Sequence, residues 1–356
     1  MPAPVIMLGA FAIACVPAAQ LLASAQWPRR CPIAAIALWQ ALGLGWGLAT
    51  VGVLAGFGAA GLGDGKLSRA ALRTASLAGA GQGERLRHGP PVPAGAFPGP
   101  HPGGQVAGVA ATAAERVIRF LVGAPVVSQW GLVTVLRLIS LAAGIALLGL
   151  LVWILVAAIA AVIRARHRQR TLLGLLAHDD PKVPGALVVD HPAAAAYCVP
   201  GLRSAIVISA GALNLLDTDE LAAVLAHERA HLRARHDLVL LPFTALLRAF
   251  RWSATARAAN DEVALLVEML ADDRARRRRP ARELATALLR VGASGGGHAP
   301  VGALAAADAA VHGELAVRVT RLLRPLPALP VPFIIGVGLL AALIVLAPAA
   351  ALVVPL

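Results

Sequence analysis

Aromatic residues are scarce in this chain, at 4% of 356 residues with a single tyrosine. That scarcity excludes the base-stacking platform of a single-stranded nucleic-acid binder, so no direct nucleic-acid binding is expected. Charge is sparse as well, at 14% against 58% hydrophobic residues and a mean hydropathy of +0.74. Such a composition excludes an ordinary soluble globular protein. The three cysteines, Cys15, Cys31 and Cys198, are scattered, which leaves no disulfide framework and no C-x-x-C metal site. No basic residue precedes the first apolar stretch, and this argues against a cleaved signal peptide. Acidic residues are few: the net charge is +13, almost wholly from arginine. Much of that arginine clusters beside apolar segments and in 164–170 and 274–282, where in a membrane protein it sets topology and meets anionic lipid.

What the chain does have is long apolar runs. Four cover about Val5–Ala25, Pro32–Leu62, Leu132–Ile163 (with Arg137 near its start) and Leu329–Val354. Each exceeds the roughly 20 residues that cross the hydrocarbon core of a bilayer. The organisation expected from them is two transmembrane helices in 1–63, a loop over 64–131, a third helix in 132–163, a soluble domain in 164–327 and a fourth helix in 328–356. Arg29-Arg30 lie between the first two runs, and Arg164–Arg170 follows the third. Placing both inside makes this a multi-pass cell-membrane protein whose 164–327 domain faces the cytoplasm. The 64–131 loop is then extracytoplasmic. Its Gly79–Gly108 stretch, dense in glycine and proline, reads as flexible, and Thr112–Val122 has helical potential.

Within 164–327, Ala186–Val189 reads as a strand, and Ala195–Val199 with Ser204–Ser209 as a hairpin about Pro200-Gly201. Asp217-Thr218-Asp219-Glu220 is a capping-box pattern ahead of a helix over Leu221–Arg235. Leu238–Phe250 is apolar, contains Pro242 and is too short to span, which suits a core or re-entrant helix. A further helix over Asp261–Arg278 stops at Pro280, and Gly292–Gly302 reads as a loop.

The helix over Leu221–Arg235 carries His227-Glu228-Arg229-Ala230-His231. Residues four apart stack on one helical face, so His227 and His231 can grip one zinc ion with Glu228 beside it. Catalytic zinc takes three protein ligands and keeps one position open. Glu268 suits the third place, and Asp272, on the same face of its helix, can orient a ligand from behind. Glu228 then serves as the general base that takes a proton from water and passes it to a leaving amine. One Zn2+ per chain is the cofactor this predicts, although other divalent ions suit the same donor set. His236-Asp237 follows the helix and reads as structural or as support behind a metal ligand, and Cys198 reads as a buried thiol in a strand.

Val224-Leu225-Ala226-His227-Glu228-Arg229-Ala230-His231, with Glu268-Met269-Leu270-Ala271-Asp272, resembles the membrane-embedded gluzincin metallopeptidases. These comprise the HtpX/Ste24-type (M48) group and the BlaR1/MecR1-type (M56) group, and the similarity covers about Ala195–Leu323. The resemblance implies a mainly α protein whose catalytic domain is zincin-like and α+β. It also implies that an edge strand ahead of the zinc helix holds substrate by backbone pairing, a role that falls to Ser204, Ala205, Ile206, Val207, Ile208 and Ser209. His312 and Arg318 resemble the late His…Arg-Ile segment of M48 domains, where the histidine stabilises an oxyanion and the arginine pairs with the acidic residue, here Asp272. Gly313 stands where that family carries proline.

Three apolar runs before the domain and one after it favour the M56-type branch, without that branch's large external sensor. The resulting expectation is an integral-membrane zinc endopeptidase cutting a protein or peptide substrate, such as a transcriptional repressor. The alternatives are an HtpX-like quality-control protease and a non-catalytic receptor or scaffold that keeps a zinc site. The sequence sets neither the substrate nor an oligomeric state.

Overall fold

The computed structural model describes residues 3–60, 129–181, 183–201, 204–294 and 305–353. The 61–128 segment, with the expected flexible stretch at 79–108 and helix at 112–122, lies outside the described residues. The chain divides into two compact units, one of Met1–Met7, Val51–Ala146 and Val354–Leu356, the other of Leu8–Thr50 and Leu147–Val353.

Four helices are long and apolar enough to cross a membrane. They are α1 (Ala3–Ser24), α2 (Pro32–Ala59), α3 (Gln129–Leu176) and α10 (Val331–Val353). They match the four apolar runs, with one difference. α3 does not end at Ile163 but continues through Arg164–Arg170 to Leu176, 48 residues in all. Arginine, leucine and glutamine are good helix formers, so the loss of hydropathy does not end the helix.

In the smaller unit the end of α2 packs on the start of α3 through small residues, the means by which helices approach closely in lipid. A methyl group on Gly144 would stand 3.1 Å from Cβ of Leu54, and one on Gly58 2.8 Å from the Arg137 carbonyl. The Ser140 hydroxyl donates to the Leu54 carbonyl at 2.9 Å.

In the larger unit a four-stranded sheet has the order β1 (Ala177–Asp179), β2 (Leu187–Val189), β4 (Ala205–Ser209), β3 (Ala196–Val199). β1 is antiparallel to β2, β2 parallel to β4, and β3 antiparallel to β4 with Tyr197 opposite Val207. Side chains alternate across a strand. Ala196, Ile206 and Ile208 therefore face one way, into a core with Val188, Ala212, Leu221, Val224, Leu225 and Ala287, while Val199 and Val207 face the other way against Leu173 of α3. After the sheet come α4 (Ala210–Leu215), α5 (Thr218–Ala234), α6 (His236–Ala249), α7 (Ala254–Ala275), α8 (Ala281–Ala293) and α9 (Ala305–Leu323).

A second core joins Phe243 of α6 and Val263, Leu266 and Met269 of α7 to Cys15 and Ala19 of α1, Trp39 of α2 and Ala341 of α10. The expected short apolar helix is thus α6, a core helix packed among the long apolar ones. Gly45 of α2 lets α10 close on it, since a methyl there would meet the Ile344 carbonyl at 2.6 Å. The fold is mainly α with a small mixed sheet, as the sequence predicts.

The hairpin is present, but the strand assigned to substrate is not an edge. Val207, Ile208 and Ser209 pair in register with β2, and Ala205–Ile208 pair with β3, while the Ser209 amide also donates to the Ala195 carbonyl. Ala205–Ser209 therefore has its backbone groups engaged within the sheet, and among the described residues the edge on this side belongs to β3.

Candidate metal centre

α5 starts where the acidic pattern places it. The Asp217 carboxylate accepts from the amides of Asp219 at 3.0 Å and Glu220 at 2.9 Å, and Glu220 returns a bond to the Asp217 amide at 3.1 Å. Such a reciprocal cap is worth about 1 kcal/mol. Arg290 of α8 reaches the buried Glu220 at 2.7 Å, which anchors the start of the helix. The helix ends at Arg235, whose φ of 48° and ψ of 48° are left-handed, a conformation that costs a non-glycine residue about 1–2 kcal/mol. This turn starts α6 at once and brings His236 back against His231.

His227 and His231 share one face of α5, their Nε2 atoms 3.1 Å apart. α7 packs across that face and delivers Glu268, with Oε2 3.4 Å from His227 Nε2 and Oε1 3.4 Å from His231 Nε2. Ligands about 2.0–2.1 Å from a tetrahedral zinc are separated by roughly 3.3–3.4 Å. The three donors therefore fit one small cation, and they form the His/His/carboxylate group that could hold a metal among the described residues.

Behind the donors lies a buried charged layer. Asp272, one turn beyond Glu268 and 1% exposed, places Oδ1 2.9 Å from His227 Nδ1, although the ring N–H is not well aligned with it. Arg318 of α9 grips Asp272 with Nε at 2.9 Å and Nη2 at 2.8 Å, and its Nη1 lies 3.0 Å from Glu268. This is the pairing the resemblance implies for Arg318. His312 lies on α9, but its side chain is outside the described residues.

The electrostatics follow from these contacts. Burial opposes charge on His227, yet the bonds and charges of Asp272 and Glu268 outweigh it and push the imidazole up to about 10. Glu268 is held well below the usual carboxylate range, burial being overcome by His227, His231 and Arg318. Asp272 is likewise lowered to about 2, with Arg318 overcoming burial. A field that holds a proton on His227 so firmly also favours a metal cation in its place.

Two neighbours of the site are His236, which the sequence offers as structural or as support behind a ligand, and Cys198, which it offers only as a buried thiol. His236 is 2% exposed, with Nδ1 3.0 Å from His231 Nδ1 and Nε2 3.0 Å from Nη1 of Arg274. Burial, with His231 and Arg274 beside it, lowers its pKa to about 3, so the ring is neutral and orients His231. No glycine marks the turn that puts it there. Cys198 on β3 lies near Glu228, and burial followed by that carboxylate pushes the thiol up to about 12. The thiol is therefore protonated at neutral pH, as expected of a buried cysteine, and it lies beside the general-base candidate. Glu228 itself is 7% exposed and close enough to Arg318 to act on its charge.

No curated protein and no solved structure matches the chain. Residues 162–271, from the end of α3 through the sheet, the His-Glu-x-x-His helix and Glu268, match the profile of peptidase family M48, which supports an M48-type metallopeptidase.

Proposed function

We propose that this protein is an integral-membrane zinc endopeptidase that cuts a polypeptide held extended beside α5. The observation that carries this reading is the convergence of His227, His231 and Glu268 at 3.1–3.4 Å with Glu228 buried next to them. His227, His231 and Glu268 would hold a zinc ion, and bound there it would supply Lewis acidity toward water and a substrate carbonyl. The chain's own groups do the rest. The Glu228 carboxylate takes a proton from water and hands it to the nitrogen of the leaving amine. Arg318 keeps Glu268 ionised, Asp272 orients His227 through its Nδ1, and His236 orients His231.

The substrate backbone pairs with the edge of β3, whose Cys198 lies beside Glu228, since an exposed strand edge offers a row of unused amides and carbonyls. By the resemblance, His312 is the candidate to donate to the oxyanion.

The match to family M48 favours membrane-protein quality control as the role. Three apolar helices before the domain and one after it favour instead the M56-type role, regulated cleavage of a transcriptional repressor. In either case the arginines flanking the first and third apolar helices favour a cytoplasmic catalytic domain.

The test is Glu228→Gln in purified full-length protein, with zinc content and cleavage of an unfolded protein such as casein both measured. Zinc content is expected to stay near one per chain while cleavage falls at least a hundredfold. Undiminished cleavage would remove Glu228 as the base.

A further inference from the structure

The arginines at the end of α7 do more than crowd a helix terminus. Arg274 of α7, Arg277 and Arg278 of the turn that follows it, and Arg233 of α5 line a cleft of about 330 Å³ whose floor is Ala226, Ala230 and Ala234 of α5. The floor residues recur every four positions, so they form one stripe, and their short side chains leave room between the guanidinium groups. Nearby carboxylates are committed elsewhere. Asp272 is held by Arg318, Asp273 by Arg321 and Asp237 by Arg166. No ion pair links any of the four cleft arginines to a carboxylate among the described residues, and Arg274 instead meets the His236 ring, its Nη1 3.0 Å from Nε2.

Four positive groups converging on a concave surface without a counter-charge repel one another, and they fit an anion that can accept from several guanidinium forks together. A phosphate does this best, since its oxygens take paired N–H donors and can bridge more than one arginine. Carboxylates from a peptide would arrive singly. Aromatic side chains, which a nucleic-acid strand would need for stacking, are absent from the lining.

The position of the cleft suggests where the phosphate comes from. Arg321 donates to the backbone carbonyl of Arg29 at 2.7 Å and also pairs with Asp273, the residue before Arg274. Arg29 lies in the turn between α1 and α2, and Trp27 of that turn meets Phe333 at the start of α10 edge to face. Arginine and tryptophan at the ends of apolar helices mark the level of lipid headgroups. The end of α7 is thus tied to that level.

We propose that this arginine-lined cleft is a binding site for a phosphate group, supplied by the headgroup of an anionic phospholipid. Arg233 and Arg278 are both exposed, so removing their charge leaves the cores intact. The test uses the full chain in nonionic detergent. Retention of phosphatidylglycerol and of phosphatidylcholine is read by native mass spectrometry, and binding of inorganic phosphate by calorimetry. Wild type is compared with the double variant Arg233→Gln/Arg278→Gln and with Arg279→Gln, which lies beyond the cleft. Size exclusion and circular dichroism check that each is folded.

Phosphatidylglycerol retention is expected to drop at least tenfold in the double variant, with phosphatidylcholine unaffected and Arg279→Gln behaving as wild type. Cleft-dependent binding of inorganic phosphate in place of the lipid would keep the phosphate site and name free phosphate as its source. Equal retention of every ligand by wild type and the double variant would overturn the proposal. So would cleft-dependent binding of a polyglutamate peptide with neither phosphate compound bound.

Discussion

An Asp272→Asn exchange replaces one buried oxygen by an NH2 group and leaves the side-chain volume nearly unchanged. Asp272 is 1% exposed, and its two oxygens face Nε and Nη2 of Arg318 and Nδ1 of His227. A carboxamide offers one acceptor oxygen and two donor hydrogens. If the oxygen takes the Oδ2 place beside Arg318 Nε, the NH2 takes the Oδ1 place, faces both Arg318 Nη2 and His227 Nδ1, and requires that ring nitrogen to accept. The imidazole proton then moves to Nε2, the atom that must be bare to hold a cation. If the amide turns over, the NH2 faces Arg318 Nε, so Arg318 loses one of its two acceptors in either orientation.

The magnitude follows from the shift. The carboxyl titrates at about 2 in place of 3.8, which at about 1.4 kcal/mol per unit is roughly 2–3 kcal/mol of folding stability. Because the folded value is depressed, that stabilisation is complete above 3.8 and lost as pH falls through about 2; at neutral pH the wild type has all of it and the variant none. Loss of the partner that orients a ligating histidine adds roughly a 10–100-fold weakening of metal affinity. The assay is zinc competition against a chelator of known affinity at pH 7.5, alongside thermal unfolding of the metal-stripped protein in detergent. A variant that binds zinc within threefold of wild type and unfolds at the same temperature would refute the reasoning.

Two other outcomes follow from the same structure. His227 is raised from 6.5 to about 10, so without metal its protonated form stabilises the fold fully below 6.5, and that contribution is lost as pH rises through about 10. Zinc must displace this proton, so apparent zinc affinity is expected to climb between pH 6 and 9 by about tenfold per unit; a flat profile would show that His227 carries no such proton. Gly45→Ala puts a methyl 2.6 Å from the Ile344 carbonyl and forces α2 and α10 apart, at about 1–3 kcal/mol. The thermal midpoint in detergent is expected to fall, and an unchanged midpoint would mean that the two helices do not meet there.

Much of the site was legible because its signals are local. The capping box, the four-residue spacing of His227 and His231, and the shared face of Glu268 and Asp272 are properties of single helices. α5 and α7 form with those residues placed as read, although α7 starts earlier, at Ala254 behind an Ser253 cap. Four-residue periodicity could not show which side of α7 meets α5; the chemistry of the donor set suggested it. What was not legible depends on partners distant in sequence. The parallel pairing of β2 with β4 places β4 inside the sheet and makes β3 the edge, and no alternation in either strand encodes that order. β1 is three residues, Ala-His-Asp, without an apolar pattern, and it exists by pairing with β2. That His236 folds back on His231 was not legible, because Arg235, not glycine, takes the left-handed turn. The continuation of α3 past Ile163 escaped because hydropathy reports burial in lipid rather than backbone conformation.

The most direct measurement of the central claim is zinc K-edge X-ray absorption on the purified full-length protein. The account expects about one zinc per chain, coordinated only by nitrogen and oxygen at ~2.0–2.1 Å with the multiple scattering of two imidazoles, and loss of an oxygen scatterer in Glu268→Ala. A sulfur shell near ~2.3 Å, or a spectrum unchanged by Glu268→Ala, would contradict it.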